Sequence, residues 1–153
     1  MDSIIISKKT NNLKELYPLL LLADPDKEKI DSYLTKSDCF VLELNMKIIG
    51  VLVLQKLNEA SSEIMNVAIL EKYQNKGFGE KLIKYVVNQS KNEKEYRFVI
   101  CTGNSSISQL LLYQKLGFTI FDIKYNYFTK NYRTPIFENG ILCSHKICLE
   151  LFK

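Results

Sequence analysis

A six-residue string in the middle of this chain has the residue types and spacing of a phosphate-binding loop. It stands between an apolar run at residues 63–70, short enough for a buried strand, and a segment whose apolar residues recur at helical spacing. The six residues are Gln74, Asn75, Lys76, Gly77, Phe78 and Gly79. Glycines let a backbone approach a ligand closely, and the first N–H groups of a helix have no partner inside it. The string therefore predicts an anion site at a helix N-terminus, with an ordinary glycine turn as the alternative.

Histidine and cysteine usage argues against several other chemistries. His145 is the only histidine, so a Ser-His-Asp triad or a zinc site with several histidine ligands is hard to build. The cysteines lie singly in apolar runs without C-x-x-C spacing, which favours buried reduced thiols over a metal or disulfide set. They are Cys39, Cys101, Cys143 and Cys148. We expect no metal.

Length and charge limit the classes of protein to which this chain can belong. With 153 residues, 46% of them apolar, the chain can bury one sizeable core, so we expect a single domain over residues 1–153. Nineteen lysines, two arginines and a net charge of +4 suit an anionic ligand but do not indicate nucleic acid. No signal peptide or membrane-spanning run is visible, and we expect a soluble cytoplasmic protein.

The elements before the loop should be strands and two short helices. Strands are expected at residues 4–7, 39–44 and 48–57. A hairpin turn at 45–47 and a polar turn at 58–62 join the strands at 39–44, 48–57 and 63–70 into an antiparallel meander. Asn11 or Asn12 can cap a first helix that Pro18 kinks or restarts, and Asp24-Pro25 reads as the start of a second. The residues expected inward are Leu13, Leu16, Tyr17, Leu20, Leu21, Ile30, Tyr33 and Leu34.

The elements after the loop should complete a sheet. A helix with Lys81 and Lys84 outward is followed by a charged loop at 89–95, a buried strand at 96–101 and a helix capped by Asn104 or Ser105 and stopped by Gly117. Closing strands are expected at 118–128 and 147–152, with a polar loop at 129–140. The inward residues of the two helices are Phe78, Leu82, Ile83, Val86 and Val87, then Ile107, Leu110, Leu111 and Leu116.

Two segments in register resemble a known family. The run E-I-M-N-V-A-I ahead of Y-Q-N-K-G-F-G resembles motif A of the GNAT superfamily, the GCN5-related N-acetyltransferases, and residues 104–118, N-S-S-I-S-Q-L-L-L-Y-Q-K-L-G-F, resemble its motif B. The resemblance covers about residues 63–118. It implies a mixed α/β fold with a central sheet of about seven strands, flanking helices, and a V-shaped splay between two central parallel strands that holds acetyl-CoA.

The resemblance also implies which residues bind the cofactor. Backbone N–H groups of residues 74–79 would bind the pyrophosphate, and the strand around Val67, Ala68 and Ile69 would hold the pantetheine. Asn104 would contact the pantetheine or be only a helix cap, and Lys115 would reach phosphate or be an exposed helix lysine. The sequence departs from the family pattern at Glu71, where proline is common, and at Asn75, where glycine is common.

The reaction implied is direct transfer of an acetyl group from a thioester to a neutral amine. Tyr113 matches the family's usual general acid, and its reference pKa of about 10 against about 8.5 for a thiol makes it a plausible proton source, with a packed core tyrosine as the alternative. Glu63, eleven residues before Gln74, would be a base acting through water or a solvated strand-end glutamate. The N–H of Val67 would polarise the acetyl carbonyl.

The acceptor is set in this family by the first helices and the last loop, here about residues 17–34 and 125–137. A small-molecule amine is the first hypothesis. A protein or peptide acetyltransferase and a coenzyme A-binding module without activity are the alternatives. A homodimer is possible, because dimers are common in the family.

Overall fold

The computed structural model of this chain describes residues 1–89 and 95–153, so most of the charged loop predicted at 89–95 lies outside the described residues. Contacts divide the chain into two compact units, residues 1–96 and 97–153. The prediction of a single domain over residues 1–153 stays a prediction.

The first unit is built on four strands, each antiparallel to the next along the chain: β1 (Ile4–Lys9), β2 (Asp38–Leu44), β3 (Lys47–Asn58) and β4 (Ser61–Ile69). Asn45 and Met46 join β2 to β3 with φ angles of 50° and 67°. Two consecutive left-handed residues form the tight turn whose twist matches the paired strands. The predicted meander is confirmed, with β1 added to it.

A short 3-10 helix, Leu13–Leu16, leads into α1 (Tyr17–Ala23), which has Pro18 in its first turn, and α2 spans Lys27–Leu34. Asn12 is left-handed and its side chain makes no capping bond, so the expected cap is wrong. Asp26, rather than Asp24, caps α2 by accepting the N–H groups of Glu28 at 3.0 Å and Lys29 at 3.4 Å.

The inward face of α1 also differs from the prediction. Leu21 is 39% exposed and Leu19 is 5% exposed, because α1 starts afresh at Tyr17 and does not continue the turn before it. Ile30, Tyr33 and Leu34 of α2 are buried as predicted. These side chains pack with Cys39, Val41, Val51, Val53 and Ala68 of the strands into one apolar cluster.

The second unit has three sheet strands and two helices. These are β5 (Arg97–Gly103), α4 (Ile107–Lys115), β6 (Thr119–Lys124), α5 (Tyr127–Asn131), a small hairpin of β7 (Phe137–Glu138) and β8 (Ile141–Leu142), and β9 (Lys146–Phe152). β9 pairs antiparallel with both β5 and β6. The third helix of the first unit, α3, spans Phe78–Asn88 and buries Leu82, Ile83, Val86 and Val87 as predicted.

Two predictions for the second unit are wrong. The strand expected at 118–128 ends at Lys124, because Asn126 takes a left-handed φ of 57° and starts α5. The expected polar loop at 129–140 holds most of α5 and the hairpin strand β7.

The predicted cap and face of α4 are also wrong. Ser106 precedes α4 without a side-chain capping bond, and Ile107 and Leu111 are 50% and 55% exposed. Gly117, with φ of 98°, ends the helix as predicted. Among the described residues, no helix has the length and apolar character that crossing a membrane requires.

Candidate active site

The glycine loop has the predicted form of a strand, a tight loop and a helix N-terminus. A 3-10 turn, Glu71–Tyr73, follows β4, and Gly77 stands at the N-cap of α3 with φ of 85°. Lys81 donates its N–H to the Gly77 carbonyl at 3.1 Å, which is the first hydrogen bond of the helix. The N–H groups of residues 78–80 come before it and have no acceptor inside the helix. Such N–H groups, with the helix dipole, favour an anion at this end of α3.

Both departures from the family pattern fit the backbone. Asn75 has φ of 59°, in the left-handed region that asparagine adopts more readily than most other residues, so it can replace a glycine there. Glu71 is the first residue of the 3-10 turn, where no helical bond needs the N–H that proline lacks. Neither departure therefore weakens the interpretation of the loop.

One edge of β4 directs backbone groups away from β3. Leu70 donates its N–H to Ile49 of β3 at 2.8 Å, so by the alternation of an antiparallel pair Val67 and Ile69 point their N–H and C=O groups the other way. The side chain of Gln74 donates to the Ile69 carbonyl at 2.9 Å and ties the glycine loop to the end of β4. This bond was not predicted, because the family pattern assigns Gln74 only a backbone role.

A β-bulge interrupts β4 between the predicted base and this edge. The register changes from Asn66 opposite Val53 to Ile64 opposite Leu54, which leaves Met65 as an extra residue. Glu63 is half-buried and lies opposite Gln55. Because a bulge changes which way the side chains beyond it point, counting eleven residues back from Gln74 could not predict the orientation of Glu63.

Asn66 is a buried polar residue that the sequence analysis missed. Its side chain donates to the Leu20 carbonyl and to the Tyr33 hydroxyl, both at 3.0 Å, and its Oδ1 makes no hydrogen bond within the described residues. Its position inside the otherwise apolar run at residues 64–69 was the signal that could have found it. Burial is the main cause that raises the pKa of Tyr33.

Tyr17 and Asp31 form a second polar cluster in the segment expected to set the acceptor. The Tyr17 hydroxyl donates to Asp31, which also accepts from Lys27 at 3.0 Å. The hydrogen bond to Asp31, with smaller contributions from burial and the carboxylate charge, raises the pKa of Tyr17 to about 12. The same bond lowers the pKa of Asp31.

Tyr113 is the buried residue of α4, only 4% exposed. Burial, and then the charge of Cys101, raises the pKa of its hydroxyl, which therefore stays protonated. Its ring lies 6.3 Å from that of Phe118. Lys115, at the end of α4, is exposed.

The side chain of Asn104 hydrogen-bonds to the segment that leads into β9, which we call the Asn104 clasp, and it does not cap α4. Its Oδ1 accepts the N–H groups of Ser144 at 2.7 Å and His145 at 2.9 Å, and its Nδ2 donates to the Leu142 carbonyl at 3.1 Å. Of the two alternatives weighed for Asn104, the helix cap is wrong, and contact with the pantetheine stays a prediction.

The residues after Asn104 add a polar cluster that the sequence analysis did not predict. The buried Ser106 donates to both carboxylate oxygens of Glu138, at 3.0 and 3.2 Å, and Asn139 donates to the Ser105 carbonyl at 2.9 Å. These bonds hold the β7–β8 hairpin on the start of α4. They join residues more than thirty positions apart, which no local pattern indicates.

Comparison with known proteins agrees with this geometry. The Acetyltransferase (GNAT) domain matches residues 35–120, and the chain belongs to the GNAT family of acetyltransferases. The uncharacterized N-acetyltransferase YvbK of Bacillus subtilis strain 168 is 43% identical over 148 residues, 97% of this chain and 94% of that protein.

Two solved structures are similar over almost the whole chain. The GNAT family acetyltransferase of Elizabethkingia anophelis, crystallised with acetyl-CoA bound, has 48% identity and a TM-score of 0.91 over 97% of each chain. The IAA acetyltransferase of Bacillus cereus ATCC 14579 has 41% identity and a TM-score of 0.90 over 99% of this chain and 100% of that one.

Fold and activity class follow from these likenesses. The fold is the predicted GNAT fold, a mixed α/β fold whose seven-stranded mixed sheet is flanked by helices. The protein is an N-acetyltransferase, and acetyl-CoA is its cosubstrate. The roles of the individual site residues stay predictions.

Proposed function

We propose that this enzyme transfers the acetyl group of acetyl-CoA to a primary amine of a small molecule by direct attack. The neutral amine attacks the thioester carbonyl carbon, negative charge develops on the carbonyl oxygen, and the carbon–sulfur bond breaks to release CoA. The N–H of Val67 stabilises the oxyanion, Glu63 accepts the amine proton through water, and Tyr113 donates a proton to the departing sulfur.

The burial of Tyr113 is the observation that carries this proposal. Burial keeps the phenol protonated, as a general acid must be before it acts. A thiolate released in the same apolar surroundings would also have a raised pKa, so the two pKa values rise together and proton transfer stays feasible. As the buried residue of α4, Tyr113 is held by packing in one position.

The geometry of β4 and the loop supports the proposed cofactor contacts. Val67 and Ile69 direct their N–H groups away from β3, as strand-like bonds to a pantetheine require. The backbone N–H groups from Gln74 to Gly79 would hold the pyrophosphate, with Lys76 adding positive charge. Asn104 and Lys115 would also bind the cofactor.

The acidic residues of the 17–34 segment support an acceptor with one amine. Asp26 is engaged as the cap of α2, and Asp31 is bonded to Tyr17 and Lys27. Asp24 accepts the N–H of Asp26 at 3.1 Å and is only half-exposed, and Glu28, the fourth acidic residue of the segment, is exposed in the first turn of α2. So few carboxylates suit one cationic amine better than a chain of several.

Replacing the proposed acid tests the mechanism. In Tyr113→Phe we expect kcat to fall about a hundredfold, the lower end of what a general acid contributes, with acetyl-CoA affinity and thermal unfolding unchanged because the ring is kept. Tyr85→Phe, on α3, is the matched control and should keep full activity. Equal kcat in Tyr113→Phe and the wild type would remove Tyr113 from the mechanism.

An acceptor screen tests the substrate class. Release of free CoA thiol is followed with small amines, with IAA because of the name of the Bacillus cereus relative, and with peptides that have free N-termini. The proposal expects turnover with a small amine. Turnover confined to peptides would assign the enzyme to protein acetylation, and mass spectrometry of the product identifies the acetylated atom.

We also propose that the protein forms a homodimer through β6. Within the described residues β6 is the last strand in the sheet order, bonded to β9 on one side, and Ile120, Phe121 and Ile123 are at least 40% exposed. A second copy laid antiparallel about a two-fold axis can place Ile120 opposite Ile123 of the other copy. Pairing these edges would cover apolar surface that a monomer leaves in water.

A further inference from the structure

Two of the four cysteines lie side by side although 47 residues separate them in sequence. Cys101 of β5 and Cys148 of β9 are directly opposite each other in the antiparallel register, and the Cys101 thiol donates to the Cys148 sulfur at 2.9 Å. Neither forms a disulfide. The fold therefore places a vicinal dithiol on one face of the β5–β9 pair.

Strand register makes this pair suitable for covalent closure. Residues directly opposite in an antiparallel pair have Cα atoms about 4.5–5.5 Å apart, and disulfides span Cα separations of about 4.4–6.8 Å. The sulfur atoms need to approach by less than 1 Å to reach a bond length of about 2.05 Å, which side-chain rotation can supply. No movement of the strands is required.

The two thiols differ in access and in charge environment. Cys101 is partly exposed, whereas Cys148 is 2% exposed. The hydrogen bond from Cys101 lowers the pKa of Cys148, and Lys146 and Lys124 lower it further against burial and Asp122. Cys148 is thus the sulfur with the lower pKa, and Cys101 is the sulfur that an oxidant can reach. Once the pair has lost one proton, transfer of the remaining proton from Cys101 to Cys148 leaves the thiolate on Cys101, which makes it the nucleophile.

We propose that Cys101 and Cys148 form a reversible dithiol–disulfide couple that peroxides oxidise, with Cys101 as the attacking sulfur and Cys148 as the resolving one. The Cys101 thiolate attacks a peroxide oxygen, the O–O bond breaks, and the leaving oxygen departs as water or an alcohol. Cys148 then attacks the sulfenic acid of Cys101, the S–S bond forms, and the S–O bond breaks to release water. Two thiols lose two electrons and two protons, and the peroxide accepts them.

The remaining cysteines are internal controls for this chemistry. Cys39 is 1% exposed, and burial raises its pKa to about 11. Cys143 is 3% exposed, and burial likewise raises its pKa. Both thiols are protonated and covered, so neither should compete for the oxidant.

Oxidation of the wild-type protein with hydrogen peroxide tests the proposal without any substitution. We expect titration to show two of the four thiols lost, intact mass to fall by two hydrogens, and peptide mapping to join Cys101 to Cys148. Dithiothreitol should restore all four thiols. Four intact thiols after peroxide, a crosslink that includes Cys39 or Cys143, or a crosslink between two copies would overturn the proposal.

Single substitutions assign the two roles. In Cys148→Ser the sulfenic acid of Cys101 cannot be resolved, so a dimedone adduct should accumulate at Cys101. In Cys101→Ser the buried Cys148 should give no adduct, and Cys39→Ser should form the Cys101–Cys148 disulfide like the wild type. Dimedone labelling of Cys148 in place of Cys101 would reverse the assigned roles and contradict the proposal.

Discussion

Asn104 is a residue whose side-chain amide makes three hydrogen bonds to one distant segment. Its Oδ1 accepts two backbone N–H groups and its Nδ2 donates to the Leu142 carbonyl, which leaves one N–H for a ligand. A role in cofactor binding would therefore depend on a side chain that the protein has already fixed in position. Preorganisation of this kind lowers the entropic cost of binding.

Asn104→Ala should lower the free energy of unfolding by about 1–3 kcal/mol, because two backbone donors and one acceptor lose their partner. Asn131→Ala is the matched control, since Asn131 makes a single local bond to the Tyr127 carbonyl within α5. Urea denaturation of the two variants gives the comparison. Equal losses in both would show that the Asn104 clasp does not stabilise the second unit.

At the residue scale, the correct predictions are those that depend only on neighbouring residues in the sequence. The glycine loop and the stop at Gly117 both lie within strings of a few residues. The helix cap expected at Asn104 was wrong and the Cys101–Cys148 pair was missed for a shared reason. Both depend on the register of β5 against β9, which a single sequence does not reveal.

At the scale of elements, the junction between β4 and α3 is the feature on which the proposed binding of the pyrophosphate depends. Gly77 has a left-handed φ of 85°, and a Cβ built on it would meet nothing within 4 Å. The same is true of Gly140, with φ of 72°, in the hairpin of the second unit. The two glycines therefore differ in location but not in backbone strain or local space.

Gly77→Ala and Gly140→Ala should each lose about 1 kcal/mol of stability, from the strain of a left-handed alanine. Only Gly77→Ala should also bind acetyl-CoA more weakly, by about tenfold, since its methyl group would lie where the pyrophosphate approaches the backbone. Calorimetric titration with acetyl-CoA separates the two effects. Equal affinities in the two variants would contradict a phosphate site at the loop.

The elements themselves were predicted to different degrees. α3 has its apolar residues on one side, so its buried face was correct. α4 has leucines and isoleucines on several sides, and Ile107 and Leu111 proved exposed while Tyr113 turned inward. α5 was missed because its start depends on the left-handed conformation of Asn126, and the β7–β8 hairpin because it is held by distant polar partners.

At the scale of the whole molecule, β6 is the strand through which we propose that the chain dimerises. All six of its residues are exposed, three of them large and apolar. An exposed strand edge of this kind favours pairing with another strand.

Sedimentation at increasing protein concentration should show a dimer for the wild type and a monomer for Ile120→Lys, because the two-fold pairing would bring charge against the Ile123 of the second copy. Leu22→Lys, at a site on α1 that is 52% exposed, is the matched control and should dimerise. A wild type that stays monomeric at every concentration would disprove the dimer.

The bond between Gln74 and the Ile69 carbonyl closes the chain between them into a small ring. The ring contains a fixed number of residues. The side chains at positions 71 and 72 can therefore differ in type, but no residue can be added or removed between Ile69 and Gln74. The ring thereby fixes the number of residues between the end of β4 and the glycine loop, the two segments proposed to hold the pantetheine and the pyrophosphate. Glu71 can stand where proline is common because the bond that closes the ring involves only Gln74 and Ile69.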